Sequence, residues 1–237
     1  MEQIRRSPTG IENLDNLIQG GIPLDSYLLL ITDPRTFAEL FIRDFVRGGL
    51  ENNEGVIFCT ILRPPESVRN DFKYTGFDLA QYEEKGQLIF VNIYGGECSG
   101  NNVLCTDSIN HVELSATINK AIGMLKNFDA KRAVCDSTGD ALFTLDLKSV
   151  TRFAQSRRVI QRQEKMVCLH TVIRGIRDDF TNILQQHSDA VFEIDTTKTP
   201  QGIHNLFRIS KMRYTEYLTK QYAIEISENR LKIAIEK

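Results

Sequence analysis

Six short apolar runs, separated by stretches with helical spacing, do most to constrain what this chain can fold into. The runs cover residues 27–32, 55–62, 87–94, 132–136, 166–172 and 189–194. Each is short enough for a strand and apolar enough to be covered on both faces. Between them, residues 35–50, 66–74, 111–127, 147–165 and 178–187 suit helices. In the third of these, Leu114, Ile118, Ala121, Ile122 and Leu125 share one face. The first helix is expected to close at Gly48-Gly49. Residues 1–26 are rich in turns, and residues 97–110 read as a polar loop. Alternation of this kind predicts an α/β fold, a mostly parallel sheet flanked by helices. The tail differs: 205–213, 220–226 and 230–236 read as antiparallel edge strands, with Glu228-Asn229 as a hairpin turn. We find no internal repeat and no linker, and residues 1–237 read as one domain.

Charge and cysteine usage narrow the function classes. The formal net charge is -2 and the pI about 6.1, not the footprint of a protein held mainly by nucleic-acid backbone. No apolar run is long enough to span a bilayer. The opening "MEQIRRSPTG" has no apolar segment, so a cytoplasmic location is expected. Of five cysteines, Cys59, Cys135 and Cys168 sit in apolar runs and read as buried, reduced thiols. Cys98 and Cys105 lie in the polar loop with only His111 close by, too few ligands for a metal. His170 reads as a core or strand-end residue. His187 and His204 have no partner cluster, and no Ser-His-Asp order is defensible.

The opening "PTGIENLDNLIQGGIPLDSYLLLI" carries the most specific signal. Thr9, Gly10, Ile11, Leu14, Asp15, Gly20, Gly21, Ile22, Pro23 and Ser26 resemble, in order, the start of KaiC-like ATPases of the RecA superfamily. Asp25 stands where that family usually has glycine. The likeness runs on through "VIFCTILRPPESV", "RAVCDSTGDAL", "SDAVFEI" and "ISKMR". It implies a RecA-like sheet, with Asp136 and Ser137 at the Walker B position and Lys211, Met212 and Arg213 in the family's K-M-R segment.

Against that resemblance, the nucleotide machinery is missing. A phosphate loop reads G-x-x-x-x-G-K-[ST], and the frame falls here on "TDPRTFAE". Thr32 and Phe37 replace the glycines that let backbone N–H groups curl round phosphates. Ala38 replaces the lysine. Glu39 replaces the hydroxyl that would hold magnesium; a carboxylate about 4 Å from a phosphate charge is repelled by about 4 kcal/mol at an effective dielectric of 20. Glu39 does suit the first turn of its own helix. Arg35 is the one residue of the loop able to rescue a phosphate contact. The paired glutamates that the family carries after its second strand, one activating the attacking water, fall here on Leu62 and Arg63, and neither is a general base.

These residues therefore describe a vestigial site: Thr32, Arg35, Phe37, Ala38, Glu39 and Asp136. No catalytic residue, metal or cofactor is expected; ATP and magnesium enter only with an atypical phosphate loop. Asp136 reads as structural. Lys211 and Arg213, at i and i+2 of a strand, read as a subunit-interface pair or an exposed edge pair; "YTEY" (214–217) departs from the family's usual next segment. The expected function is a catalytically inactive KaiC-like pseudo-ATPase acting as a regulator or scaffold, with a protein partner such as an active KaiC-like ATPase or a second copy. Two alternatives stay open. One is an ATPase or kinase with a phosphate site built on Arg35 and Asp136. The other is a recombinase-accessory protein binding DNA through Arg158, Arg162 and Lys165, one basic helix face. No membrane partner is expected, and an archaeal source follows from resemblance alone.

Overall fold

The computed structural model describes residues 4–34, 36–95, 98–100, 102–106, 111–138, 146–200 and 202–235. Twelve strands are named in chain order: β1 Arg6–Ser7, β2 Ile22–Pro23, β3 Tyr27–Thr32, β4 Gly55–Thr60, β5 Leu88–Asn92, β6 Val103–Cys105, β7 Lys131–Cys135, β8 Met166–Ile173, β9 Ala190–Thr199, β10 Gly202–Met212, β11 Gln221–Ser227 and β12 Arg230–Ile233. The helices are α1 Leu14–Leu17, α2 Ala38–Glu51, α3 Pro65–Tyr74, α4 Ala80–Glu84, α5 His111–Met124, α6 Leu147–Gln163 and α7 Asp178–His187.

Strands β3 to β12 form one ten-stranded sheet in the order β12-β11-β10-β9-β3-β8-β7-β4-β5-β6. The pairings from β9 to β6 are parallel, while β9, β10, β11 and β12 are joined by antiparallel ladders. This is the α/β arrangement expected from the alternation, and the RecA-like sheet that the resemblance implies. All six residues of β3 are buried, between β8 and β9 and between two helical layers. Its side chains alternate. Leu28 and Leu30 join the core under α2 with Phe41, Phe45 and Phe192. Tyr27, Leu29 and Ile31 join the core under α5, α6 and α7 with Leu114, Phe153 and Leu184. The tail hairpin turns at Glu228 and Asn229, with φ of 50° and 59°, the left-handed pair of a type I′ turn.

Several boundaries differ from expectation, each for a tertiary reason. Gly48-Gly49 does not close the first helix: both lie inside α2. A Cβ on Gly48 would stand 2.7 Å from the Gly10 Cα, and one on Gly49 would stand 2.5 Å from the Arg132 Nε. These glycines thus permit close packing rather than chain reversal. The polar loop contains β6 and a Cys98–Cys105 disulfide, a pairing that residue parity and spacing leave unspecified. The short helix α4 carries too little periodicity to be read from the sequence. β9 and β10 run further than the apolar run because each pairs along the other's length from Ala190 to Met212. Asp25 has φ 67°, which explains the family's glycine there; aspartate is among the few other residues that tolerate this conformation.

The opening motif is structural. The Thr9 N–H donates to Asp15 Oδ1 at 2.8 Å, and the Ile11 N–H donates to Thr9 Oγ1 at 3.2 Å. The segment is bolted to the sheet through Arg132, which is fully buried. Arg132 Nε pairs with Glu54 Oε2 at 2.8 Å, Nη2 donates to Ser7 Oγ at 2.6 Å and to the Pro8 carbonyl at 2.8 Å, and Nη1 donates to the Phe45 carbonyl. Ser7 Oγ in turn donates to Glu54 Oε1 at 2.7 Å. Among the described residues no helix is long and apolar enough to cross a membrane.

Candidate functional site

Parallel strands β3, β7 and β8 end on the same side of the sheet. In open α/β sheets ligands bind at that edge. A cleft of about 250 Å³ lies there, closed on one side by the first turn of α2. It brings together most of the residues singled out in the sequence: Thr32, Ala38, Glu39 and Asp136 all line it, with Leu62 at its rim. Arg35 lies outside the described residues. Phe37 turns away from the cleft. Its ring packs against the core cluster beneath α2 and lines a neighbouring depression with Arg63 and Asp71. Arg63 is ion-paired with Asp71, so neither successor of the paired glutamates offers a base to the cleft.

The cleft's charge is one-sided. Among the described residues lining it are three acids, Asp33, Glu39 and Asp136, and no lysine or arginine. Asp33 is already engaged: its Oδ1 accepts from Arg174 Nε at 3.1 Å and its Oδ2 from the Thr196 N–H at 2.9 Å. Arg174 also bridges Glu193 and Asp195, each at 2.7 Å. That network locks the turn after β3 onto β9, and nothing in the local sequence around Asp33 announces it. The first residues of α2 have no side-chain cap, and Glu39 complements the positive helix end in its place.

Asp136 follows β7 and is held from below. Its N–H donates to the Cys59 carbonyl at 3.3 Å, its Oδ1 accepts from the Ile61 N–H at 3.0 Å, and its carbonyl accepts from Thr171 Oγ1 at 2.7 Å. Burial pushes its carboxyl up to about 7, helped by the negative charge of a Cys135 thiolate and opposed by the Ile61 N–H and Arg63. Near neutral pH it is therefore about half protonated, unlike a carboxylate standing ready for a cation.

The remaining predicted residues lie elsewhere. β10 runs antiparallel to β9, and Met212 pairs with Ala190 at the start of β9. Lys211 and Arg213 thus sit at the opposite end of the sheet from Asp136. Arg213 Nη1 contacts Asp189 Oδ1 at 2.8 Å, Arg158 Nη2 contacts the same oxygen at 3.0 Å, and Lys211 Nζ donates to the Gln185 carbonyl at 3.2 Å. Within one chain these cations cannot reach the cleft. Arg162 and Lys165 stand near Asp25, whose carboxyl burial raises and these two cations lower.

The ten-stranded sheet and the cleft at the ends of β3, β7 and β8 define the class: a RecA-like domain of the P-loop NTPase fold. The family described as "ATPase: KaiC" matches residues 7–237, and the chain belongs to it. Among curated relatives, a UPF0273 protein of Methanopyrus kandleri is 26% identical, with 99% of this chain and 94% of the relative covered. A UPF0273 protein of Pyrococcus furiosus is 24% identical over 95% of this chain and 92% of its own length. Among solved structures, a KaiC-like protein of Pyrococcus horikoshii superposes with a TM-score of 0.81 at 21% identity, covering 98% of this chain and all of that one. That likeness shows the fold.

Proposed function

We propose that this chain is a KaiC-like domain without ATP hydrolysis, a pseudo-ATPase that works by binding another protein. The observation that carries the proposal is the composition of the cleft: Ala38 and Glu39 open α2 where a phosphate would need a cation and a hydroxyl, and the described lining holds three acids and no base. A triphosphate entering it meets like charge. Asp136 is drawn into backbone hydrogen bonds and kept partly protonated, a state suited to strand-end structure rather than to magnesium. The partner fitting this reading is an active KaiC-like ATPase or a second copy of the chain, met through the face bearing Lys211 and Arg213. The feature on the other side is the uncapped N-terminus of α2, to which a loop built on Arg35 would have to bring any phosphate.

Calorimetric titration with ATP and magnesium tests the proposal. The expected result is no binding heat up to millimolar nucleotide. A Kd in the low micromolar range, abolished by Arg35→Ala, overturns it and makes the chain a nucleotide-binding protein with a new loop.

A further inference from the structure

On the sheet face under α5 and α6, away from the cleft, three strands place a sulfur, a sulfur and an imidazole side by side. Cys59 of β4 is in direct register with Cys135 of β7, and Cys135 with His170 of β8. Register partners on parallel strands point to the same face. Thr138 Oγ1 lies 2.8 Å from His170 Nδ1, and the imidazole stacks on Tyr27 at 4.5 Å between ring centroids. The histidine is thereby held at one orientation beside the middle sulfur.

These groups border a cavity of about 40 Å³. A water needs roughly 10–15 Å³ of occupied space, so the cavity has room for a small guest. Its wall is largely apolar, and Gln161 and Arg157, only 1% and 7% exposed, are part of it; among the described residues Gln161 Oε1 and Nε2 and Arg157 Nε have no hydrogen-bond partner. Leaving buried donors and acceptors unpaired costs free energy. The cavity thus lies next to sulfur, with two buried polar side chains in a largely apolar wall.

We propose that Cys135 is a hydroperoxide-reactive cysteine and that Cys59 is the thiol that closes a disulfide with it. The substrate class is hydrogen peroxide itself, small enough for the cavity that Cys59, Cys135 and His170 border. Cys135 Sγ attacks one oxygen. The O–O bond breaks, an S–O bond forms, and the hydroxide that leaves takes up the proton shed by the Cys135 thiol. Cys135 is now a sulfenic acid and one water has been made. Cys59 Sγ then attacks that sulfur; the S–S bond forms, and the sulfenic oxygen departs with the Cys59 proton as a second water. Two thiols have lost two electrons to one peroxide. Neighbouring strands run about 4.8 Å apart, inside the range of about 4.4–6.8 Å between Cα atoms that a disulfide accepts.

The three thiols of this face are not equivalent. The neighbouring Cys59 holds the Cys135 thiol well below its ordinary value, with His170 and Thr138 acting in the same sense and burial opposing them. The same pairing, with burial, raises Cys59. Burial pushes Cys168 up to about 12, so it stays protonated as a bystander. Cys135 is half-buried, whereas Cys59 and Cys168 are buried.

The test counts thiols by mass after denaturing alkylation of protein purified without reductant. Three alkylated cysteines are expected before treatment, because Cys98 and Cys105 are already joined. Brief exposure to hydrogen peroxide should leave one, Cys168, and peptide mapping should find Cys59 linked to Cys135. Oxidised glutathione, too large for the cavity, should leave three. Cys59→Ser should stop the reaction at a sulfenic acid on Cys135, trapped by dimedone in the denaturing quench. Gln161→Leu should slow thiol loss roughly tenfold, the effect of one strong hydrogen bond. The proposal is overturned if wild-type protein keeps all three thiols, if Cys168 is consumed as fast as Cys135, or if peroxide acts no faster on the folded chain than on the chain in urea.

Discussion

Strand β7 opens on Lys131 and Arg132 and is followed by Asp136, and Arg132 and Asp136 have opposite fates. Arg132, near the start, is sealed from water, yet its Nε and both Nη atoms have partners in Glu54, Ser7, Pro8 and Phe45. Asp136, just past the end, has one N–H donor to its carboxylate and no cation bonded to it among the described residues, and its carboxyl rises accordingly. The sheet's lower edge is closed by the opening segment, which supplies polar partners. Its upper edge is left as a cleft, where open α/β sheets bind ligands. Burial alone does not make a charge costly; burial without a matched partner does.

The sharpest way to break this contrast is at Arg132. Arg132→Met strands Glu54 in the core and is expected to cost about 3–5 kcal/mol in denaturant unfolding. Arg132→Met with Glu54→Leu should recover most of that. A double variant no better than the single one would mean that the Ser7 and Pro8 contacts, rather than the ion pair, hold the lower edge. Gly48→Ala strikes the same edge from the helix side. Its Cβ meets the Gly10 backbone, so a net loss of about 1–2 kcal/mol is expected, the overpacking cost exceeding about 1 kcal/mol gained in helix propensity. A stabilised variant would show that the two backbones have room to part.

At the upper edge the sign reverses. Because the folded-state value of Asp136 lies near 7, above the ordinary 3.8, the folded state holds a proton that the unfolded chain has released. Stability attributable to this group therefore falls as pH rises from about 4 through 7. Asp136→Asn keeps an acceptor for the Ile61 N–H and removes the penalty. It should stabilise the protein by about 1–2 kcal/mol at pH 8, less than the full shift because the carboxyl is partly wet, and by almost nothing at pH 4. Thermal unfolding across that range decides it; a variant destabilised at pH 8 would mean that the charged carboxylate has a favourable partner. The smallest effect is expected from Arg213→Ala. Asp189 keeps Arg158 and the Tyr27 N–H, and the pair is partly exposed, so the loss should stay under about 1 kcal/mol. If the same variant weakens binding to a KaiC-like partner far more than it weakens folding, the residue belongs to an interface.

Much of this architecture is legible without coordinates, because period and turn chemistry are local. The residues of β3, 27–32, and of α7, 178–187, follow from apolar runs and spacing, and the Glu228-Asn229 turn follows from its residue types. The departure from the phosphate-loop pattern is legible for the same reason, since that pattern is contiguous and Ala38 and Glu39 stand at its lysine and hydroxyl positions. What stayed hidden depends on residues far apart in the chain. Gly48 reads as a helix stop until Gly10 is placed against it. Phe37 reads as the replacement of a phosphate-loop glycine until the fold packs its ring against the core. Arg174 carries no local signal of its role; Asp33, Glu193 and Asp195 close round it only in the fold.

The sequence by itself determined the order of elements, the parallel sheet with its antiparallel edge, and the absence of phosphate-loop glycines and lysine, all of which rest on short-range periodicity and residue chemistry. Only the tertiary structure decided which charges are satisfied and which are not. It set Arg132 in a complete shell and Asp136 in a partial one, gathered Cys59, Cys135 and His170 into one row, and left Gln161 in the wall of a cavity. Partners, dielectric and register are properties of strands brought side by side, and no local pattern contains them.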